Sequence, residues 1–255
     1  MTLAICAEAL REQDPDRFGA MLAAAPDDRP RLITLYALNL ELARAPFQSA
    51  EPMLAEMRLQ WWIDRLAEMG QGTAPPFHDV LTPLWDSWGL AAGSLVPLAD
   101  ARRRDAARDA FADQAEVLAY VDATAGGVMW AAAQALGAPD AARQVVAAQA
   151  RGAGMAAWLR ALPQLQGMGL GLARPGPDHV VALVRAGTDA LSQARELRRI
   201  VPRRAAPALF AGSGTGAFLA ALVRDAGDIA AQPTVSPFRR RAALARLALT
   251  GRWWV

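Results

Sequence analysis

Apolar residues recur at helical spacing along the chain, and proline and glycine interrupt them. Residues 2–13 and 16–24 form two short helical runs, separated at Asp14-Pro15. Asp28 caps a helix with Pro30 in its first turn, running to Arg44 before Pro46. Ser49 caps the next, which ends at Gly70 and places Met53, Leu54, Met57, Trp61 and Met69 near helical intervals. The stretch 71–77 (QGTAPPF) is a loop, and a helix with internal Pro83 covers 78–88. Residues 94–137 read as one long or bent helix, weakened at Gly126-Gly127, and 139–167 as another. After the loop GMGLGLARPGP, Asp178 opens a helix to Arg199, ended by Pro202. Shorter helices are expected over 203–210, 215–226 and 237–250, with GSGTG at 212–216 between the first two. No repeat and no long linker divides the chain, so the pattern predicts one all-α domain over residues 1–255.

Composition narrows the chemistry. The 255 residues include 59 alanines, which favour helix, and no lysine; all 27 basic residues are arginine. Without lysine there is neither a Walker-type phosphate loop nor a Schiff base. One cysteine, Cys6, and two histidines, His78 and His179, exclude an internal disulfide, a cysteine-based cluster and a three-histidine metal centre. The formal net charge of +2 gives no global argument for nucleic acid. No stretch reaches the roughly 18 to 20 apolar residues of a membrane span. The N-terminus lacks a basic signal-peptide region, so a cytoplasmic protein, soluble or peripheral, is expected.

The distribution of charge says more than its sum. Between Asp140 and Asp178 there is no carboxylate, whereas Arg143, Arg151, Arg160 and Arg174 lie inside. After Asp228 there is again none, while Arg239, Arg240, Arg241, Arg246 and Arg252 precede Trp253-Trp254. Such a basic, aromatic-ended segment suits an anionic partner, either a membrane surface or an acidic protein. It equally suits a solvated arginine face with both tryptophans packed back on the core.

Asp105, Asp109 and Asp113 stand at i, i+4 and i+8, which on one helix would stack three carboxylates for magnesium. Arg102, Arg103, Arg104 and Arg108 are interleaved with them, so a salt-bridged exposed face is expected over a metal site. GSGTG lacks a preceding strand and reads as a turn. His78 and His179 stand at helix starts and read as structural or exposed, and Cys6 as a small buried side chain. In RLQWWID at 58–64, adjacent Trp61 and Trp62 point about 100° apart on a helix. One therefore packs inward and the other against a neighbour, with Arg58 and Asp64 alongside.

Four segments in order resemble the squalene/phytoene synthase family, in particular its short bacterial branch. They are Tyr36-Ala37-Leu38-Asn39-Leu40-Glu41; RLQWWID; Tyr120 to Gly126 (YVDATAG) with the later Leu136-Gly137; and GAGMAAWLRALP from Gly152 to Pro163. The resemblance spans about residues 30–175. It implies an all-α, isoprenoid-synthase-like helical bundle around a central cavity. In active members of the family, two prenyl diphosphates bind there and are joined head to head. Two acidic motifs on facing helices hold the magnesium ions that draw off diphosphate.

By that resemblance, Tyr120 matches the family tyrosine at the reacting centre, and Arg58, Tyr120 and Arg160 are the candidate substrate contacts. The acidic positions fall instead near Ala43, Arg44 and Phe47 in the first motif and near Ala161 and Leu165 in the second. The expectation is a non-catalytic member that needs no cofactor. It would serve as a binding or assembly factor, as does a mitochondrial relative that lacks the acidic motifs and assembles respiratory complex I. Complex I subunits, a prenyl lipid or the inner membrane surface are the expected partners. The alternative is an active prenyltransferase with Mg2+ held by Asp105, Asp109 and Asp113, together with Glu116.

Overall fold

A computed structural model describes residues 2–225, 227, 229 and 235–254. Among them every regular element is a helix, and extended pairing is limited to one bridge, Phe111 with Leu172. The all-α class expected from the pattern is what the structure shows. Contacts gather the chain into two compact units, residues 1–108 and 109–255.

The first unit holds α1 (Thr2–Gln13), α2 (Pro15–Leu22), α3 (Arg29–Arg44), α4 (Pro52–Gly70), α5 (Leu81–Trp88), α6 (Val96–Asp100) and the short α7 (Arg103–Ala106). Asp14 caps α2 by accepting a hydrogen bond from the Arg17 N–H at 3.0 Å. From Leu32 to Asn39 every residue of α3 is buried, and this helix is the centre of the unit. α1 and α5 pack on it, while α4 packs against the 3-10 turn Gly89–Leu95 and α6. Ser49 does not cap α4: its hydroxyl accepts from the Glu51 N–H at 3.1 Å, and the helix begins at Pro52.

The second unit holds α8 (Gln114–Val121), a π-helical turn (Asp122–Gly126), α9 (Gly127–Ala135), α10 (Arg143–Gly167), α11 (Pro177–Glu196), α12 (Thr215–Arg224) and α13 (Pro237–Thr250). A 3-10 helix, Arg203–Leu209, precedes α12. The expected helix over 215–226 ends at Arg224, and Ala226 lies outside the described residues. α10 is the central helix of this unit, packed most extensively on α11 and also on the π turn. Two glycines set its spacing. A Cβ at Gly154 would stand 2.5 Å from the Ala125 Cβ and 2.8 Å from Val121 Cγ1. One at Gly152 would stand 2.8 Å from the Gly187 carbonyl and collide with the branch point of Leu191.

The single long helix expected over 94–137 is not formed. The helical run stops after α7, where Arg108 takes a left-handed backbone with φ 57°. Its guanidinium donates to the carbonyls of Pro46 and Ser49. Phe111 then pairs with the loop after α10: its N–H donates to Gly171 O at 2.7 Å, and its carbonyl accepts from Ala173 N at 2.8 Å. Asp113 restarts the helix by accepting from the Glu116 N–H at 3.0 Å.

Candidate functional site

In the second unit, the segment resembling the family tyrosine motif lies where α8 passes into the π turn. Such turns place one extra residue in the helix and re-aim the side chains around it. Thr124 Oγ1 donates to the Tyr120 carbonyl at 2.7 Å, which satisfies an acceptor that the widened turn would expose. Tyr120 is half-buried, with its ring edge-on to Phe111 at 5.3 Å between centroids. Phe111 in turn meets Trp158 of α10 at 5.6 Å and 89°. These aromatic rings border a core that includes Met155, Leu159, Leu183 and Phe218.

Asp122, in the π turn, faces Arg151 of α10. Arg151 Nε donates to Asp122 Oδ1 at 2.9 Å and Nη2 to Oδ2 at 2.5 Å. That hydrogen-bonded carboxylate raises the Arg151 pKa above its ordinary value. Nine residues further along α10, Arg160 lies over the Phe218 ring at 4.3 Å, so its charge rests on an aromatic face. Ala161 and Leu165, where the second acidic motif is expected from the resemblance, are half-buried, and Leu165 packs against the apolar core.

In the first unit, Tyr36 is buried beneath the Arg17 guanidinium, 5.5 Å from its ring centroid. Burial pushes its hydroxyl pKa up to about 12. Glu41 pairs with Arg44 at 3.3 Å, and Arg44 also donates to Gln13. Arg58 is half-buried on α4; its Nη1 is inaccessible and makes no hydrogen bond among the described residues. Three and four residues along the same helix, Trp61 remains 39% exposed while Trp62 is 5% exposed. Their centroids are 5.0 Å apart at 80°. Trp62 packs inward as expected, whereas Trp61, expected against a neighbouring helix, stays largely at the surface beside Trp62.

His78 completes that cluster, at 5.6 Å from Trp61 and 5.3 Å from Trp62. Its Nδ1 accepts from the N–H groups of Val80 at 3.1 Å and Leu81 at 3.4 Å, and its own N–H donates to Thr82 Oγ1 at 3.0 Å. His78 therefore satisfies two N–H groups at the start of α5, whose N-cap position is Val80, while His179 is exposed. Nearby, a cavity of about 250 Å³ is lined by Cys6, Glu41, His78 and Asp79 among others. The Cys6 thiol donates to the Asp79 carbonyl at 3.3 Å. Burial, and then the charges of Asp79 and Glu41, push its pKa up to about 11, so it remains a neutral thiol and no nucleophile.

The expected stacking of Asp105, Asp109 and Asp113 on one helix is corrected. Asp105 sits on α7 and pairs with Arg102 at 3.3 Å. Asp109 follows the left-handed Arg108 and is exposed, and Asp113 is spent on the cap of α8. Glu116 Oε2 accepts from the Ala112 N–H at 2.9 Å. The i, i+4, i+8 relation exists only on an unbroken helix, and here the backbone turns between its members.

The donors present at the two motif helices do not suit a magnesium cluster. Magnesium takes oxygen ligands in a near-octahedral set, and carboxylates supply the charge. α10 carries no carboxylate from Arg143 to Gly167, and the carboxylate of Glu41 on α3 is held by Arg44. Among the described residues, no group of three or more His, Cys, Asp and Glu side chains is placed to hold a metal.

The fold matches a crystal structure of a dehydrosqualene synthase in complex with ligand, with a TM-score of 0.77. The alignment covers 96% of this chain and 95% of that one at 13% identity, which defines an all-α isoprenoid-synthase fold. The squalene/phytoene synthase family model matches residues 10–169. The chain belongs to that family. No curated protein matches it significantly.

Sequence reasoning singled out Arg58, Tyr120 and Arg160 but passed over Asp122, Arg151, Phe111 and Trp158. Asp122 and Arg151 are 29 positions apart, and only the turn of the chain after α9 brings them together. The carboxylate lies inside YVDATAG and the arginine one residue before GAGMAAWLRALP, so one recognised motif contained half of the pair and the other began next to its partner.

Proposed function

We propose that this chain is a non-catalytic member of its family that acts by binding, as an assembly factor for respiratory complex I working at the inner membrane surface. The observation that carries the reading is the run of α10 from Arg143 to Gly167 without a carboxylate. Ionising an allylic diphosphate needs concentrated positive charge on the leaving group, and the metal clamp is the main electrostatic contribution to that step. Arg58 in the first unit, or Arg160 in the second, can each hold an anionic headgroup by charge and hydrogen bonding, but arginine alone binds diphosphate without drawing it off. As a binding protein it would take a prenyl lipid as cargo or as a structural ligand.

The test is pyrophosphate release. Folded protein is mixed with farnesyl or geranylgeranyl diphosphate, with and without Mg2+. Release at the level of the blank is expected, together with incomplete complex I in a strain lacking the gene. Magnesium-dependent release would overturn the reading in favour of head-to-head prenyl transfer, the chemistry that gives the family its name. Full complex I assembly in the deletion strain would remove the assembly role while leaving lipid binding to be measured directly.

A further inference from the structure

The surface of α13 has a pattern that neither the family nor the bundle interior requires. This helix rests on the second unit through Leu247, which is 2% exposed, and through Arg203 Nη2, which donates to the Leu249 carbonyl at 2.7 Å. Ser236 fixes its start by accepting from the Arg239 N–H at 3.3 Å. On the outward side stand Phe238, Ala242, Ala245 and Leu249, all exposed. Their spacing of four, three and four residues places them on one stripe within about 60° of each other around the helix. The two large members are 79% and 75% exposed. Arg239 and Arg246 flank the stripe on one side and Arg241 on the other, and all three are exposed. Among the described residues their side chains make no hydrogen bond or ion pair. No Asp or Glu follows Asp228 in the sequence, and Asp228 itself lies outside the described residues.

We infer that α13 is a membrane-docking helix, lying flat on an anionic lipid surface with the Phe238–Leu249 stripe inserted and the arginines at the phosphates. An apolar stripe bordered on both sides by arginine matches the cross-section of a bilayer interface, where acyl chains lie below and negative headgroups lie level with the helix flanks. Arginine reaches sideways and upward to phosphate while its stem stays on the apolar surface. A second copy of the chain is the poorer occupant, because pairing two such stripes brings arginines against arginines. An acidic protein is also poorer: between Phe238 and Leu249, about 16 Å apart along the axis, the stripe carries only alanine. That smooth surface offers no knob or hollow for a side-chain lock.

The tryptophans do not take part. Trp253 is buried, and Trp254 is half-buried, with the guanidinium groups of Arg198 and Arg252 within 5.4 and 5.7 Å of its ring centroid. They hold the end of the chain against the unit, as one of the two sequence readings had it, while the helix before them faces outward. This inference gives the proposed membrane placement its surface but stands on α13 alone. An active prenyltransferase would leave it intact, and failure of vesicle binding would leave the pyrophosphate result unaffected.

The experiment is co-sedimentation of the full chain with vesicles of phosphatidylcholine, and of phosphatidylcholine mixed with phosphatidylglycerol. Binding is expected only to the mixed vesicles, weakening as salt shortens the screening length. Arg239→Gln, Arg241→Gln and Arg246→Gln together should weaken partition roughly a hundredfold. Phe238→Ser with Leu249→Ser should weaken it at least about tenfold. Both sets change exposed side chains, and unchanged circular dichroism and melting temperature verify the fold. A control that neutralises the exposed Arg174, Arg185 and Arg195 should retain most binding. Wild-type protein left in the supernatant of anionic vesicles overturns the inference. So does a stripe variant that binds like wild type, or a control triple that loses as much as the α13 triple. Dimerisation in light scattering without vesicle binding would assign the stripe to self-association instead.

Discussion

Arg151 on α10 and Asp122 in the π turn meet as a two-pronged pair that ties the tyrosine segment to the central helix of its unit. Both side chains are about two-fifths exposed, 43% and 37%, so water and salt screen the attraction. Its value lies in geometry: a planar fork fixes the π turn against α10, and lysine supplies the charge without the fork. Arg151→Lys should therefore lose most of the coupling. A double-mutant cycle with Asp122→Asn should give about 0.5–1 kcal/mol at low salt, falling as salt rises. Denaturant unfolding of the four proteins measures it.

The same π turn is pressed against α10 at Gly154. An added Cβ would lie 2.5 Å from that of Ala125, which has no flexible end to move aside. Gly154→Ala should cost about 1–3 kcal/mol as the two segments part. Gly167, at the end of the same helix, has nothing within contact range of such a methyl. Gly167→Ala should be neutral or stabilising by up to about 1 kcal/mol, because alanine loses less backbone entropy in a helix. Melting temperatures of the two variants should move in opposite directions or differ clearly in size.

Much of the fold could be read from local chemistry, and the misreadings share a cause. Asp14 and Pro15 mark a helix start through a cap and a fixed φ, both properties of neighbouring residues. Trp62 turned inward, as one of two tryptophans about 100° apart on a helix should, although Trp61 stayed more exposed than expected. Residues 101–113 misled because alanine and arginine favour helix and nothing local opposes it. What stops the helix is distant in sequence: the guanidinium of Arg108 on the carbonyls of Pro46 and Ser49, and Phe111 bonded across to Gly171. The lack of any carboxylate along α10 was visible because a missing residue type needs no tertiary information. Phe238 went unremarked because sequence alone does not tell which face of an amphipathic helix is turned away from the protein.

Alkaline pH should weaken the first unit through two buried acids. Cys6 ionises ordinarily near 9.0 and in the folded chain at about 11; Tyr36 moves from 10.0 to about 12. In both, the folded state keeps a proton that the unfolded chain releases. Stability is therefore fully present below about 9 and falls as pH rises through the interval up to about 12. Unfolding midpoints measured from pH 8 to pH 11 should fall on the alkaline side. Cys6→Ala should flatten the decline that starts near 9 while leaving the later Tyr36 component. An unchanged slope in that variant would mean that other groups carry the alkaline loss.

His78 offers a separate prediction, because one side chain there performs two tasks. Its Nδ1 satisfies the N–H groups of Val80 and Leu81 at the start of α5, and its ring fills the space beside Trp61 and Trp62. His78→Asn keeps an oxygen acceptor in reach of those N–H groups but removes the ring, whereas His78→Ala removes both. Loss of a helix cap costs about 1 kcal/mol, and loss of aromatic packing adds about 0.5–1.5 kcal/mol. His78→Ala should therefore destabilise by roughly 1.5–2.5 kcal/mol and His78→Asn by about 1 kcal/mol less. Both should alter the near-ultraviolet circular dichroism of the tryptophan pair, while only His78→Ala should raise amide exchange at Val80 and Leu81. Equal exchange in the two variants would show that the ring, through packing alone, holds the start of α5.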